Sequence, residues 1–507
     1  MTEPADLLLT NAAVHTLARP DETHEAVAVR DGRIVRVGDA FEVSVLRGVE
    51  TEVVDCEGGV VLPGFVDAHT HLEMVGRHLV HADLRGVDRA AAVDRLRERA
   101  AETDGPVLGY GYDESTWDEA RYLTRADLDS VAEDRPVVAF REDMHTASVN
   151  SAALDRYRAA MPDGDVRTEN GEPTGVVVEA AVDPLFAAFE PDVAETADLL
   201  RAAQERANAL GVTAVHDMCR GSQKPRVYRT LDDAGELTLR VRINYWTDHA
   251  AAVVETGLRS GHGSAMVETG AIKSFTDGSL GGRTAKLTEP YADGDETGQW
   301  VVDPEELAEA VERAADADLQ FTAHAVGDAA VATTLDVFAD HDADHLRHRV
   351  EHAELLPDDL VERFAEVGAV ASVQPNFLKW AREGGLYESR LGERRRAVMP
   401  FRDLLEAGVP LAFGSDCMPL DPLFGVQQAV TAPEERQRLS VTEALRAYTL
   451  GGAYAAGAET ETGTVEPGKR GDLAVLADSP WAVDDDRISD IEVTHTVVDG
   501  SVVYRNR

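Results

Sequence analysis

The sequence predicts an α/β fold: a (β/α)8 barrel that carries an inserted α/β subdomain and a small composite β-sandwich made from both termini. Three observations predict it. Strand and helix patterns alternate through the middle of the 507-residue chain, short β-patterned runs flank this middle on both sides, and one interval between strand candidates is far too long for a single crossover helix.

The two ends of the chain are patterned like short antiparallel strands. Residues 1–62 contain β-patterned runs with an Asp-Gly hairpin signal at 31–32, and residues 463–507 repeat this texture with a second Asp-Gly pair at 499–500. We therefore expect the two segments to form one β-sandwich domain.

The middle of the chain, residues 63–462, alternates between strand and helix patterns. Helices with clear start signals, such as the one that Asp303 caps and Pro304 opens, fall between most of the strand candidates. Eight such repeats are typical of a TIM barrel, in which functional residues lie at the carboxyl ends of the strands. The eight candidates lie at residues 60–71, 211–218, 239–246, 271–278, 319–328, 348–356, 369–377 and 409–417.

The interval between the first two barrel strands, residues 77–210, needs a separate explanation because it is much longer than one crossover helix. It contains strand candidates of its own at 106–112, 136–141 and 175–179. We interpret this interval as an inserted α/β subdomain over the mouth of the barrel.

The chain is strongly acidic, with 93 Asp and Glu against 49 Lys and Arg and a formal net charge of −44. This charge argues against nucleic acid and anionic membrane as partners. The acidic residues are spread along the whole chain rather than gathered in a tail, which indicates a folded halophilic protein from a high-salt cytoplasm. A small-molecule substrate is therefore the expected partner, and the pattern leaves open whether the chain forms a homo-oligomer.

Thermal stability is expected to depend on salt. Because screening weakens the self-repulsion of the acidic surface, the melting temperature should rise between dilute buffer and molar KCl. A melting temperature that stays constant or falls over this range would contradict the interpretation.

Targeting signals are not expected. The N-terminal sequence is acidic and lacks a basic n-region, and no run approaches eighteen uncharged apolar residues, so we predict neither a signal peptide nor a membrane span. Three scattered cysteines, Cys56, Cys219 and Cys417, fit a reducing cytoplasm better than a disulfide framework.

Polar residues recur within or just after the barrel strand candidates, mostly in their carboxyl-terminal halves. Residues two apart on a strand share a face, so the histidines of the H-x-H pair are expected to project together. Several imidazoles with a carboxylate suit a borderline divalent metal such as Zn²⁺. The residues are His69 and His71 of strand one, Lys273 of strand four, His324 of strand five, His352 of strand six and Asp416 after strand eight.

The motifs that hold these residues resemble those of the metal-dependent amidohydrolase superfamily. "PGFVDAHTH" resembles the strand-one H-x-H of that superfamily, and "GAIKSFTDGSLGGRTA" resembles the strand-four signature of its YtcJ-like branch, which includes N-substituted formamide deformylase. "AHAVGD", "RVEHA" and "FGSD" are similar to its strand-five, strand-six and strand-eight motifs. The resemblance covers nearly the whole chain and implies a (β/α)8 barrel with a composite β-sandwich.

The resemblance also implies roles for the six residues. His69, His71, Lys273 and His352 or His324 would be metal ligands, and the Lys273 amine would react with CO₂ to give a carbamate that bridges two metal ions. Arginine, which the chain otherwise favours, cannot be deprotonated to form a carbamate. A single-metal site without carboxylation is the alternative.

Asp416, itself counted among the candidate ligands, is the candidate general base, and a histidine that does not ligate, such as His324, would stabilise the oxyanion.

Candidate substrate contacts lie in two parts of the chain. Tyr112, Asp113, Trp117 and His145 belong to stretches of the insert that resemble segments closing over the active site in this branch. Arg283, which follows strand four with Asp277, suits a clamp on a carboxylate or carbonyl, and His216 of strand two is a candidate hydrogen-bond partner of a metal ligand.

The expected function is hydrolysis of a non-peptide, amide-type C–N bond, in an N-formyl or N-acyl compound, by a hydroxide that the metal activates. Two alternatives remain open: hydrolysis of a cyclic amide or an ester, and a metal-binding regulator that has lost catalysis.

Overall fold

The structure is a computed structural model that describes residues 3–221, 223–341 and 343–506. The chain divides into two compact units: one contains the residues up to His71 and from Gln204 onward, and the other is Leu72–Ala203. Its strands are β1 Leu7–Thr10, β2 Ala13–His15, β3 Thr23–His24, β4 Ala26–Arg30, β5 Arg33–Gly38, β6 Glu52–Asp55, β7 Val60–Pro63, β8 Phe65–Thr70, β9 Ala82–Asp83, β10 Val107–Tyr112, β11 Val137–Arg141, β12 Thr146–Val149, β13 Val166–Glu169, β14 Glu172–Val178, β15 Val212–Cys219, β16 Arg240–Trp246, β17 Val267–Phe275, β18 Gln320–Ala325, β19 Arg349–His352, β20 Val370–Val373, β21 Leu411–Phe413, β22 Leu473–Leu476, β23 Val493–Val498 and β24 Ser501–Arg505.

The helices lie between and around these strands. None of those in the described part of the chain combines the length and apolarity that crossing a bilayer requires. They are α1 Ala40–Ser44, α2 Leu72–Val80, α3 Arg89–Glu102, α4 Arg125–Asp129, α5 Ser151–Tyr157, α6 Asp183–Ala188, α7 Val193–Ala209, α8 Gln223–Asp233, α9 Ala250–Glu255, α10 Pro304–Ala315, α11 Asp328–Ala339, α12 Ala343–Leu346, α13 Asp358–Val367, α14 Leu386–Leu391, α15 Phe401–Glu406, α16 Pro422–Val430, α17 Val441–Arg446 and α18 Gly452–Ala456.

The predicted barrel of eight parallel strands is confirmed. The strands are ordered β21-β20-β19-β18-β17-β16-β15-β8, so that each strand lies beside its neighbour in the chain apart from the long step between β8 and β15. The backbone N–H groups of Ser415 and Asp416, which follow β21, donate to the His69 carbonyl of β8 at 3.1 and 2.7 Å. These bonds join the two ends of the sheet at the carboxyl end of the barrel.

Helix α10 shows why the surrounding helices form where they do. The Asp303 side chain accepts from the backbone N–H of Glu305 and Pro304 occupies the first turn, which satisfies the start of the helix. Leu307, Ala310, Val311 and Ala314 are its buried residues, and their spacing places them on one face of the helix.

Strands from both ends of the chain pair and pack together. One sheet has the order β5-β4-β1-β6 and the other the order β24-β23-β22-β7-β2-β3, and a single hydrophobic core contains buried residues of both. Both Asp-Gly pairs adopt positive φ at each position, 50° and 72° at 31–32 and 51° and 76° at 499–500. Two successive left-handed residues are what a two-residue hairpin turn requires.

The unit Leu72–Ala203 is built on a six-stranded sheet of order β13-β14-β12-β11-β10-β9. Alternate residues of β11 belong to different hydrophobic cores: Val138 and Phe140 to one, Val137 and Ala139 to the other. The sheet is therefore covered on both faces. The domain boundaries expected from the sequence, at 62, 77, 210 and 463, stay predictions.

Candidate metal centre at the carboxyl end of the barrel

His69 is buried at the end of β8 and its ring orientation is set by one strong hydrogen bond. Its Nδ1 lies 2.6 Å from Oε2 of Glu351, a residue of β19. Since an ionised carboxylate only accepts, Nδ1 carries the proton and Nε2 presents a lone pair. That Nε2 lies 3.6 Å from Oδ1 of Asp416.

His71 follows the end of β8 and lies more openly, with 37% of its side chain exposed. Its Nε2 is 3.4 Å from the same Oδ1 of Asp416, and its ring centroid is 5.7 Å from that of His69. The H-x-H pair therefore presents two nitrogens to one carboxylate oxygen.

Hydrogen bonds also fix the tautomers of His352 and His324, with the proton on a different nitrogen in each ring. Nδ1 of His352 donates to Oε1 of Gln374 at 2.7 Å, which leaves Nε2 as the unprotonated nitrogen. Nε2 of His324 donates to the Gly278 carbonyl at 2.9 Å, which leaves Nδ1 free of a proton. The two ring centroids are 4.4 Å apart, and that of His352 is 4.9 Å from that of His69. Burial lowers the pKa of both imidazoles well below its usual value, so both are neutral as a metal ligand must be.

Backbone strain accompanies two of these residues. His352 has φ 71° and Asp416 has φ 50°, in the left-handed region that costs free energy for a residue with a side chain. Glu351 and His352 are consecutive in β19, yet both contact His69. The left-handed backbone at His352 breaks the alternation of the strand where this occurs.

In the "FGSD" motif, which contains Asp416, the backbone of Gly414 lies directly against the backbone of His69. A Cβ added to Gly414 would lie 2.4 Å from the His69 backbone nitrogen, closer than any side chain tolerates. One further oxygen, Oδ1 of the buried Asp67, accepts from the N–H groups of His69 and Ser415 at 3.1 and 2.9 Å. The backbone contact and the two hydrogen bonds to Asp67 therefore hold the first and last barrel strands together beside the site.

Replacing Gly414 by Ala is expected to disturb this site strongly. Because the new methyl group must push the His69 backbone away, we expect weaker metal binding and a melting temperature lower by several degrees, measured by chelator competition and calorimetry. Gly294→Ala is the matched control, since a Cβ added to Gly294 would have no heavy atom of the described residues within 4 Å apart from its own chain neighbours. Equal behaviour of the two variants would show that the close approach is unimportant.

The arrangement fits a divalent metal ion. Ligand atoms of His69, His352 and Asp416 all lie within 4.8 Å of one another. The donor set is imidazole and carboxylate, which is the chemistry that zinc and related ions prefer.

Lys273 of β17 adds a buried amine to the surroundings of these histidines. Its side chain is fully buried and its Nζ has no hydrogen-bond partner among the described residues. Nζ lies 5.6 Å from the ring centroid of Phe275, whose ring in turn lies 4.4 Å from that of His324. Burial lowers the pKa of Lys273 to about 8 although Glu351 and Asp416 oppose this, which brings the neutral amine within reach near neutral pH.

Sequence reasoning missed a buried ion pair, Arg349–Glu351, that contacts the site through the bond between Glu351 and His69. Arg349, with no exposed surface, forms an ion pair with Glu351 at 2.7 Å and donates to the Ala68 carbonyl at 2.5 Å and to Ser372 Oγ at 2.8 Å. Burial alone would raise the pKa of Glu351, but Arg349 and His69 outweigh it and hold that pKa well below its usual range. Glu351 is therefore an anion that faces a metal-ligand candidate.

His216, the candidate partner of a metal ligand, belongs to the same network. Its Nδ1 accepts from Arg349 at 2.8 Å, which connects it through Glu351 to His69. The signal for this network was present in the sequence as two charges of opposite sign, two residues apart, inside an otherwise buried strand.

Two further carboxyl groups lie near the histidines. Asp277 accepts from the backbone N–H groups of Lys286, Val326 and Gly327 at 2.7 to 3.0 Å, and burial raises its pKa to about 7 in spite of them. Those bonds tie the loop after β17 to the loop after β18. Glu354 follows His352 by two residues, and burial raises its pKa to about 8.

The residues expected to contact substrate have other contacts. The Arg283 guanidinium binds Asp293 at 3.1 and 2.8 Å instead of facing an open clamp. In the unit Leu72–Ala203, Tyr112 and Trp117 are buried in the hydrophobic core and stack at 5.6 Å. Their surroundings are those of core residues, and the expectation that these two rings line a pocket stays a prediction.

The other two candidate substrate contacts in the unit Leu72–Ala203 are Asp113 and His145, and their side chains are partly or largely exposed. Asp113 caps a short 3-10 helix through the Ser115 N–H and binds Arg141 at 3.0 Å. His145 is 72% exposed, and its Nδ1 lies 3.3 Å from Glu179.

Comparison with known proteins gives relatives along almost the entire length. The model of the Amidohydrolase family matches residues 52–504. YtcJ of Bacillus subtilis, whose name describes an amidohydrolase, is 32% identical over 97% of this chain and 98% of its own. N-substituted formamide deformylase of Arthrobacter pascens is 29% identical over 99% of both chains. An uncharacterized metal-dependent hydrolase from Pyrococcus furiosus superposes with a TM-score of 0.81 at 30% identity, over 94% of this chain and 99% of the other.

Proposed function

The chain belongs to the amidohydrolase family, and from this premise we propose that it is a metal-dependent hydrolase of a small molecule that cleaves a non-peptide, amide-type C–N bond. The bond would be that of an N-formyl or N-acyl amine. One observation carries the proposal: histidine nitrogens with fixed tautomers and the Asp416 carboxylate converge on one point beside a buried lysine whose amine has no hydrogen-bond partner among the described residues.

The metal would be held by His69, His71, His352 and Asp416, with His324 in reach, and zinc suits this donor set. A bound divalent ion supplies Lewis acidity and lowers the pKa of water toward neutrality. Lys273, once carboxylated by CO₂, would become an anion in place of a buried amine and would complete a two-metal site. Its Nζ has no hydrogen-bond partner in the described part of the chain, and its pKa is lowered; both support carboxylation, since only the neutral amine reacts with CO₂.

Asp416 would handle the proton in hydrolysis. One of its oxygens faces two histidines, and its side chain is 18% exposed, so water can reach it. The carboxylate would accept the proton of the attacking water as the C–O bond forms and deliver it to the nitrogen as the C–N bond breaks. The products are a carboxylic acid and an amine, and Asp416 returns to its starting state.

The domain organisation belongs to the same proposal. We infer that the two sheets from the chain ends act as a composite β-sandwich and that Leu72–Ala203 is an inserted α/β subdomain. The single core that contains residues of both terminal sheets supports the first inference, and the separate cores of the insert support the second.

Metal removal tests the activity directly. We expect protein dialysed against a chelator to lose hydrolysis of N-formyl and N-acyl amines and to regain it with Zn²⁺ or Mn²⁺, with metal content measured by elemental analysis. Two ions per chain and a ¹³C carbamate signal after growth with labelled bicarbonate are expected if Lys273 is carboxylated. Esters and cyclic amides serve as comparison substrates. Hydrolysis that survives complete metal removal would refute the proposal.

A further inference from the structure

A cavity lies at the amino end of β21, the end of the barrel opposite the candidate metal centre. Its volume is about 800 Å³, which is within the range of small-molecule sites. It is bounded by the residues that precede β21, by the helical segment from Glu443 to Tyr454 and by Arg19, which follows β2 in the chain. This segment is wound as a π-helix over Ala447–Gly451, a conformation that is frequent at functional sites. The proposed hydrolysis makes no use of this cavity.

Two arginines line the cavity, and neither forms an ion pair with a carboxylate among the described residues. Arg446 donates through Nε to the Leu17 carbonyl at 2.9 Å and through Nη2 to the Ala18 carbonyl. Its guanidinium is therefore held beside the backbone that leads into Arg19. These bonds leave Nη1 of Arg446 without an acceptor in the described part of the chain, and Arg19 is exposed.

The carboxylates that line the cavity are bound by other arginines. Glu443 accepts from both Nη atoms of Arg402 at 2.7 and 2.8 Å. Glu459 accepts in the same way from Arg347, at 2.8 Å for each bond. Such two-point pairs between a guanidinium and a carboxylate are strong and fixed in geometry. The acidic groups of the cavity wall are therefore already balanced by cations of their own.

Arg446 and Arg19 are close enough to repel each other. Burial lowers the pKa of the Arg446 guanidinium and the charge of Arg19 lowers it further, whereas Asp21 and Glu443 oppose this change. Asp21 is itself engaged, since one of its oxygens accepts from a backbone N–H of its own loop at 2.8 Å and the other lies 2.9 Å from His15. A guanidinium keeps its proton in a protein. The repulsion is therefore a cost in free energy, which an anion in contact with both arginines would offset.

The rest of the cavity wall is mainly apolar. The Tyr454 ring belongs to it, and Cζ of Arg347 lies 4.1 Å from the centroid of that ring. An anionic head group with an apolar body would therefore find suitable surroundings for both of its parts. The aliphatic side chains of the wall include Leu405, Val409, Leu411 and Leu450.

We propose that this cavity binds a small organic oxyanion, a carboxylate or a phosphate with an apolar body, between Arg19 and Arg446. Nη1 of Arg446 and the guanidinium of Arg19 would donate to the oxygens of the head group, whose geometry the planar arginine fork matches. The apolar body would lie against the leucines and Tyr454. The site is separate from the metal centre and does not depend on the proposed hydrolysis.

Calorimetric titration of the metal-loaded protein with phenyl phosphate and with benzoate, at constant ionic strength, tests the site. Benzamide is the uncharged comparison and should bind much more weakly than benzoate. Because a charge-assisted hydrogen bond is lost, we expect Arg19→Gln and Arg446→Gln each to weaken binding of the anion about tenfold or more. The control is Arg167→Gln, which removes an exposed arginine of β13 and should leave binding unchanged.

The two anions also identify the head group. Binding of phenyl phosphate alone would assign a phosphate, binding of benzoate alone would assign a carboxylate, and either result supports the site if Arg19→Gln weakens it. If Arg446→Gln does not fold because its bonds to the backbone are lost, Arg19→Gln decides alone, since it changes an exposed side chain. Anion binding at the metal centre would be insensitive to Arg19→Gln. Binding that this variant leaves unchanged, an equal loss in Arg167→Gln, or no binding of either anion would overturn the proposal.

Discussion

Asp416→Asn, folded and loaded with metal, is expected to lower kcat by about 10²–10⁴-fold, the range that a positioned acid–base group contributes. Asparagine keeps the shape and one oxygen that can face His69 and His71, but it cannot accept the proton of water. The measurement is the steady-state rate with the best N-acyl substrate, together with metal content by elemental analysis.

The control for this prediction is Asp359→Asn, which removes an exposed carboxylate from helix α13 and should leave the rate unchanged. The metal content of the variant must be measured, because only a loss of rate at full metal loading can be assigned to the proton transfer. A large loss of rate at full metal loading supports the role of Asp416 as a base. Near-full turnover of the loaded variant would refute that role, whatever the geometry around it.

The barrel could be predicted from the sequence because most of its strands are short, mainly apolar runs with helical patterns between them. Parallel strands in a barrel are covered on both faces, so they appear in the sequence as mainly apolar stretches. A polar residue at the end of such a stretch therefore stands out. His69, Lys273, His324 and Asp416 are candidates for that reason. Each interrupts such a run at its carboxyl end, where barrels place their functional groups.

Sequence reasoning missed residues whose importance depends on burial. Arg349 and Glu351 appear in the sequence as two ordinary charges of a short strand, and only the fold shows that neither is exposed. Tyr112 and Trp117 show the same dependence on packing. An aromatic residue in a loop-like stretch has the same letters whether it lines a pocket or packs in a core, and here the contacts are those of a core. Local patterns cannot distinguish these cases because long-range packing decides them.

Glu351→Gln is expected to weaken both the fold and the metal site. Glutamine retains an oxygen for the His69 N–H but removes the anion that compensates Arg349, which leaves a guanidinium buried without a counter-charge. Breaking a buried pair from one side costs about 3–5 kcal/mol, and loss of a carboxylate behind a ligating histidine lowers metal affinity about 10–100-fold. Calorimetric unfolding and competition with a metal-binding dye measure the two effects.

The control is an ion pair on the surface. Glu309→Gln removes the partner of Arg313, at 3.7 Å with both side chains mostly exposed, and should change stability by less than about 1 kcal/mol. It should leave metal affinity unchanged. Equal effects of the two substitutions would mean that the buried pair contributes no more than a surface contact.

A double variant separates the two roles of Glu351. Adding Arg349→Met to Glu351→Gln removes the uncompensated cation, so part of the lost stability should return even though the Arg349 bonds to Ala68 and Ser372 are lost as well. Metal affinity should not return, since His69 still lacks an anionic partner. If affinity recovers together with stability, Glu351 acts only by balancing Arg349, and His69 needs no carboxylate behind it to bind metal.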